Sequence, residues 1–155
     1  MRPASDAGGM SAEEIRAFIE AEFPGAVRFG AQIDAVASDR VIIRLPIRGG
    51  FLRPGETVSG PTLMTLADTA VYYLVLATVG PVALAFTTHL SIDFLRTGAP
   101  DAVLAEACAL KRGKRLYVGR VEMWGGRDQP WHAASERGPR ELLAHATVTY
   151  SIPPR

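Results

Sequence analysis

The chain has 155 residues, 48% hydrophobic and 21% charged, which excludes an intrinsically disordered polypeptide and favours one domain with a real core. A formal net charge of +1 argues against nucleic acid or an anionic membrane surface as partner. The single cysteine, Cys108, excludes an intrachain disulfide, and no Cys/His spacing matches a zinc site; this suits a reducing cytoplasm.

The first ten residues, MRPASDAGGM, lack an apolar signal core and are expected to be disordered, with a single domain over 11–155. Ser11-Ala12-Glu13-Glu14 is a capping box opening a helix over 11–23. Ile15, Phe18, Ile19 and Phe23 form its apolar face, and Pro24-Gly25 is expected to stop it. Two strands follow, a weaker one over Val27–Val36 and a stronger one over Arg40–Ile47 with Val41, Ile43, Leu45 and Ile47 on one face. A Gly- and Pro-rich loop, Gly49–Thr57, leads to a central helix over about 61–79, opened by Pro61 and closed by Gly80-Pro81.

Four further strands are expected. Leu84–Leu95 alternates, with Leu84, Phe86, Thr88, Leu90, Ile92 and Phe94 on one side and Thr87, His89, Ser91 and Asp93 on the other. Val103–Lys111 and Leu116–Trp124 flank a turn at Arg112-Gly113-Lys114-Arg115. After a long polar loop, Gly125–Arg140, which could be an interface, a lid or a disordered insertion, Leu142–Ile152 closes the chain. The class is α+β: a largely antiparallel sheet wrapped around one apolar helix. The long apolar run Leu63–Val82 contains Asp68, Gly80 and Pro81, so a membrane span is rejected.

Asp68 is the anomaly. It is a poor mid-helix residue in a stretch otherwise uncharged from Pro61 to Val82, at the border between an apolar face and a stripe of Thr62, Thr65, Thr69 and Tyr72. It could simply meet water or bond Thr65 or Tyr72. A partly desolvated carboxylate is also more basic, which suits a general base. Upstream, Ser59-Gly60-Pro61 leaves the N–H groups of Gly60 and Thr62 at a helix start, where an oxyanion could dock; Ser59 could equally be only an N-cap.

Ser59-Gly60-Pro61 followed by Leu66-Ala67-Asp68 resembles the helix-start motif of the PaaI-like hotdog-fold acyl-CoA thioesterases. The segment Phe86–Arg96 and the turn at Lys111-Arg112-Gly113-Lys114 extend the likeness over about residues 40–152. The resemblance implies a curled antiparallel sheet around a central helix, with active sites between two protomers of a dimer, often paired into tetramers. It implies Asp68 as base or nucleophile and the Gly60 N–H as polariser of the thioester carbonyl. Thr87, with Thr88 as competitor, would be a hydroxyl contributed by the second protomer. Three departures stand out: Ser59 replaces the family's histidine, Pro61 its second glycine, and Leu52-Arg53-Pro54 occupies the neighbourhood of its asparagine.

On this reading Met64, Val71, Tyr72 and Val75 wall an acyl slot beside Ser59, and Arg112, Lys114 and Arg115 meet the phosphates of CoA, unless that turn is merely solvated. No metal or organic cofactor is required. The expected activity is hydrolysis of an acyl-CoA. The alternatives are a non-catalytic acyl-CoA binder or sensor, favoured by the missing histidine and asparagine, and an acyl thioester hydratase, which would have to rely on His89. His132 and His145 are expected at the surface or an interface, and Cys108 in the core.

Overall fold

The computed structural model describes residues 8–136 and 138–154. Most of the segment expected to be disordered lies outside them. Its last residues do not hang free: Met10 N–H donates to Leu76 O at 3.1 Å, and a Cβ on Gly9 would meet Ala77 O at 2.1 Å.

Helix α1 spans Ala12–Glu22, and both halves of its capping box are made, Glu14 N–H to Ser11 Oγ at 3.2 Å and Ser11 N–H to Glu14 Oε2 at 2.7 Å. α1 stops before Pro24 as expected, but Pro24 does not lead straight into a strand. It opens a second helix, α2 (Pro24–Phe29), because proline at a first helical position forfeits no hydrogen bond. Gly30, at φ 92°, stops α2, so β1 covers only Gln32–Val36.

Strand β2 (Arg40–Pro46) follows, then the short hairpin β3 (Leu52–Arg53) and β4 (Thr57–Val58). The central helix α3 is Gly60–Val79. The remaining strands are β5 (Phe86–Phe94), β6 (Ala102–Arg112), β7 (Leu116–Gly126) and β8 (Leu142–Ser151). Six of the strands form one antiparallel sheet in the order β1-β2-β6-β7-β8-β5, curled around α3. This is the hotdog architecture expected from the sequence.

An apolar helix with one charge has to be buried, and the curled sheet buries it. Leu66, Ala70, Val71, Leu74, Val75 and Leu76 are fully buried against Val41, Ile43, Ala105, Val121 and Val148 of the sheet. Among the described residues α3 is the one helix long and apolar enough to cross a membrane, and 67% of its apolar window is buried inside the protein. Its composition is that of a core helix.

The loop after β7 packs on the outer face of the sheet. Trp131 and Leu142 cover Ile42, Leu104 and Trp124, and the Arg140 guanidinium stacks on Trp124 at 3.8 Å. Arg140 also pairs with Glu106, Glu122 and Glu136. The segment is therefore a cover over the convex side, not a lid on Asp68.

Candidate functional site

Asp68 sits half-buried two turns into α3, where two strands bring hydroxyls to it. Thr87 of β5 donates from Oγ1 to Asp68 Oδ1 at 2.5 Å, and Tyr150 of β8 donates to the same oxygen at 2.8 Å. The Tyr150 hydroxyl also lies 3.2 Å from the main-chain oxygen of Asp68. Oδ2 has no partner among the described residues, and since no buried side-chain oxygen there lacks one, Oδ2 meets open space. Thus one carboxylate oxygen is anchored and the other is available for chemistry.

Thr87 reaches Asp68 of its own chain, so no second protomer is needed to bring this pair together. The register left open between Thr87 and Thr88 is decided by a bulge. Thr87 pairs with Tyr150 and His89 with Thr149, leaving Thr88 as the extra residue. Thr88 is exposed and its hydroxyl bonds Thr149 O at 3.4 Å, away from the carboxylate.

Asp68 opens on a groove of about 270 Å³. Helix α3 contributes Thr69, Tyr72 and Tyr73; Ala85, Phe86 and Thr87 come from β5 and its approach, and Phe23 and Ala26 from the α1–α2 junction. Tyr72 stacks on Tyr150 with centroids 5.6 Å apart, and Phe23 meets Tyr72 edge-on at 5.5 Å. Burial, reinforced by the Asp68 carboxylate, drives the Tyr150 phenol far above its ordinary range. Burial and the charge of Glu22 push Tyr72 up to about 12. Both phenols therefore stay protonated and can act as donors; Tyr72 donates to Val82 O at 3.3 Å.

The other expected site residues are only partly gathered here. Ser59 is the N-cap of α3: its Oγ accepts from Thr62 N–H at 3.3 Å and lies 2.7 Å from Thr62 Oγ1. Thr62 does not face a polar stripe. It is buried, and its hydroxyl bonds Phe51 O at 3.2 Å. The Gly60 N–H has no partner among the described residues, and Phe94 lies so close that a Cβ at Gly60 would be 3.3 Å from its ring.

Gly60 and Asp68 are eight residues apart on one helix, about 12 Å along its axis at ~1.5 Å per residue. Met64 lies between them, exposed and outside the groove. Val71 and Val75 are corrections: both are fully buried against the sheet and cannot wall a ligand slot. Arg112, Lys114 and Arg115 are exposed in the β6–β7 hairpin, and Lys114 and Arg115 line a separate 490 Å³ cavity with Thr78 and Pro153 at the far end of α3. Arg112 bonds Ser38 O. In one chain these cations do not border the Asp68 groove.

Sequence reasoning put Tyr150 on the apolar face of the last strand and Phe23 on that of α1, and missed both as groove residues. A tyrosine among Ala144, Ala146 and Val148 was the available signal, because a buried phenol needs a partner. None of the three histidines lines the groove. Among the described residues no cluster of three or more His, Cys, Asp or Glu could hold a metal.

A family model described as "Thioesterase superfamily" matches residues 55–131, which include Gly60, Asp68 and Thr87. The crystal structure of a candidate thioesterase from Silicibacter sp. TM1040 is 36% identical, with 99% of this chain and 97% of that chain covered and a TM-score of 0.76. A thioesterase family protein from Silicibacter pomeroyi (21% identity, 90% and 96% covered, TM-score 0.74) shares the fold. So does zebra fish thioesterase superfamily member 2 (17% identity, 94% and 100% covered, TM-score 0.74). Among curated proteins, none matches the chain. With a relative of that identity aligned over nearly its whole length, the chain belongs to the thioesterase superfamily.

Proposed function

We propose that the protein hydrolyses an acyl-CoA to the free acid and CoA, with Asp68 as the reacting carboxylate. The observation that carries this is the anchored acid: Oδ1 held by Thr87 and Tyr150, Oδ2 open to an aromatic groove, in a chain of a thioesterase superfamily. In the general-base form, Asp68 takes a proton from water as the water oxygen bonds the thioester carbon. The carbonyl electrons move onto its oxygen, and collapse expels the CoA thiolate, which takes the proton. In the nucleophilic form an Asp68 oxygen attacks the thioester carbon, the C–S bond breaks and the CoA thiolate leaves. Water then cleaves the anhydride, releasing the acid, regenerating the carboxylate and supplying the proton that the thiolate takes up.

The Gly60 N–H is the proposed oxyanion donor. Its axial distance from Asp68 argues that the two act on one carbonyl only when they come from different protomers of a homodimer. The sheet supports that arrangement: β5 is an edge strand, and Phe86, Phe94 and Leu95 on or beside it are more than half exposed. A second copy laid along β5 would cover them and bring its α3 start toward Asp68. The basic β6–β7 hairpin then serves the CoA phosphates from the periphery.

Thiol release from short-chain, long-chain and aromatic acyl-CoAs, with light scattering for the oligomer, tests the reading. Asp68→Asn should remain dimeric and lose ~100-fold or more in kcat. Equal rates in the two proteins would remove Asp68 from the mechanism. A non-catalytic acyl-CoA binder is the second reading, favoured by Ser59 being occupied as an N-cap where the resemblance calls for histidine. Saturable binding without turnover in either protein would establish it.

A further inference from the structure

Tyr73 has no part in the proposed chemistry, yet it is the residue that two hollows beside α3 share. It lines the Asp68 groove on one side, and on the other a second cavity of about 120 Å³ walled by Ile15, Ile19 and Ile33 and bordered by Arg16, Glu20 and Gln32. The side chain is 4% exposed. Its hydroxyl makes no hydrogen bond among the described residues, unlike those of Tyr72, Tyr117 and Tyr150, each of which has a partner. No buried side-chain oxygen there is left without a partner either, so the hydroxyl must reach open space, which the two hollows provide. Burial raises its pKa, so it is a neutral donor at physiological pH.

A phenol that an apolar chain seals off from open space without giving it a partner is left unsatisfied, and that deficit is avoided by a ligand that supplies an oxygen. We propose that Tyr73 is a specificity-determining residue whose hydroxyl recognises an oxygen substituent, hydroxyl or oxo, on the acyl chain. The inference rests on the groove being the acyl slot. Tyr73 is five residues beyond Asp68, about 7.5 Å along the helix at ~1.5 Å per residue, so the recognised oxygen lies several bonds from the thioester. A site equipped to bond an oxygen discriminates strongly against the analogue lacking it, because its own polar group is then stranded.

The test compares hexanoyl-CoA with hexanoyl-CoAs bearing a hydroxyl at each of carbons three to six. Wild type and Tyr73→Phe are assayed for kcat/KM, and the same ligands are titrated for Kd in the Asp68→Asn background with and without Tyr73→Phe. Phenylalanine keeps the ring and its packing, so a folding defect is not expected to obscure the result. In wild type one hydroxylated isomer should exceed hexanoyl-CoA by tenfold or more, and Tyr73→Phe should cut that ratio at least fivefold in both kcat/KM and Kd. A smaller change, or no preferred isomer, overturns the assignment. If nothing is hydrolysed the hydrolase reading fails, but the Kd ratios still decide the role of Tyr73.

Discussion

At the residue scale, Asp68 is defined by what holds it. Two hydroxyls converge on Oδ1, so the carboxylate is fixed in one orientation, with no cation paired to it among the described residues. Tyr150 also touches the Asp68 main-chain oxygen and stacks on Tyr72. On the proposed mechanism it acts through Asp68, as a positioning residue. Tyr150→Phe keeps the stack and deletes only the donor. We expect kcat to fall ~10-fold with KM nearly unchanged, and stability to fall by ~1 kcal/mol, the usual worth of one such bond. Steady-state kinetics and denaturant unfolding measure the two. A change in KM alone would mean that Tyr150 contacts substrate and not the acid.

At the element scale, β5 shows how one extra residue re-aims a strand. Simple alternation puts Thr87 opposite Leu90 and Ile92, on the outer face. The bulge at Thr88 reverses this, so that Thr87, Leu90 and Ile92 are half-buried while Thr88 and His89 are both exposed. The consequence is measurable as an asymmetry between adjacent threonines. Thr87→Val should lower kcat ~10-fold or more, because it removes a hydrogen bond to a charged group, whereas Thr88→Val should stay within about twofold, its bond being a long one at the strand edge. Equal effects from both would deny the bulge. The same scale explains the α1–α2 junction: Phe23 is carried to the groove because Pro24 restarts the helix in a new direction.

For the whole molecule, the curl of the sheet around α3 buries the tyrosines. All four of them, Tyr72, Tyr73, Tyr117 and Tyr150, have phenol pKa values raised above the ordinary 10 by desolvation. A group whose folded pKa exceeds its unfolded one holds its proton longer in the folded state. The resulting stability is fully present below pH ~10 and is lost as pH rises through the folded values, about 12 for Tyr72, since the unfolded chain ionises first. The melting temperature should therefore fall steadily above pH 10, and tyrosinate absorbance should rise only as the protein unfolds. Full ionisation of all four in a chain that keeps its native near-ultraviolet dichroism would contradict this burial.

The local signals in the sequence were sufficient for most elements and, at the candidate groove, for Asp68 and Tyr72. The capping box, the uninterrupted apolar helix and the alternating strands report short-range preferences, and a lone carboxylate in an apolar helix is conspicuous without any knowledge of its neighbours. Tertiary structure decided the rest. Tyr150 is 82 residues from Asp68 and reaches it only because β8 pairs with β5 beside α3. Thr87 faces inward through a bulge that no alternation pattern encodes, and Phe23 and Tyr73 become groove walls only when α1 and α2 pack on the central helix. Val71 and Val75 looked like groove residues by helical position, but the sheet closes over them. The division has a physical origin: propensity and periodicity depend on neighbours within a few residues, whereas a site is made by side chains brought together from distant strands, at the cost of chain entropy that only the assembled core offsets.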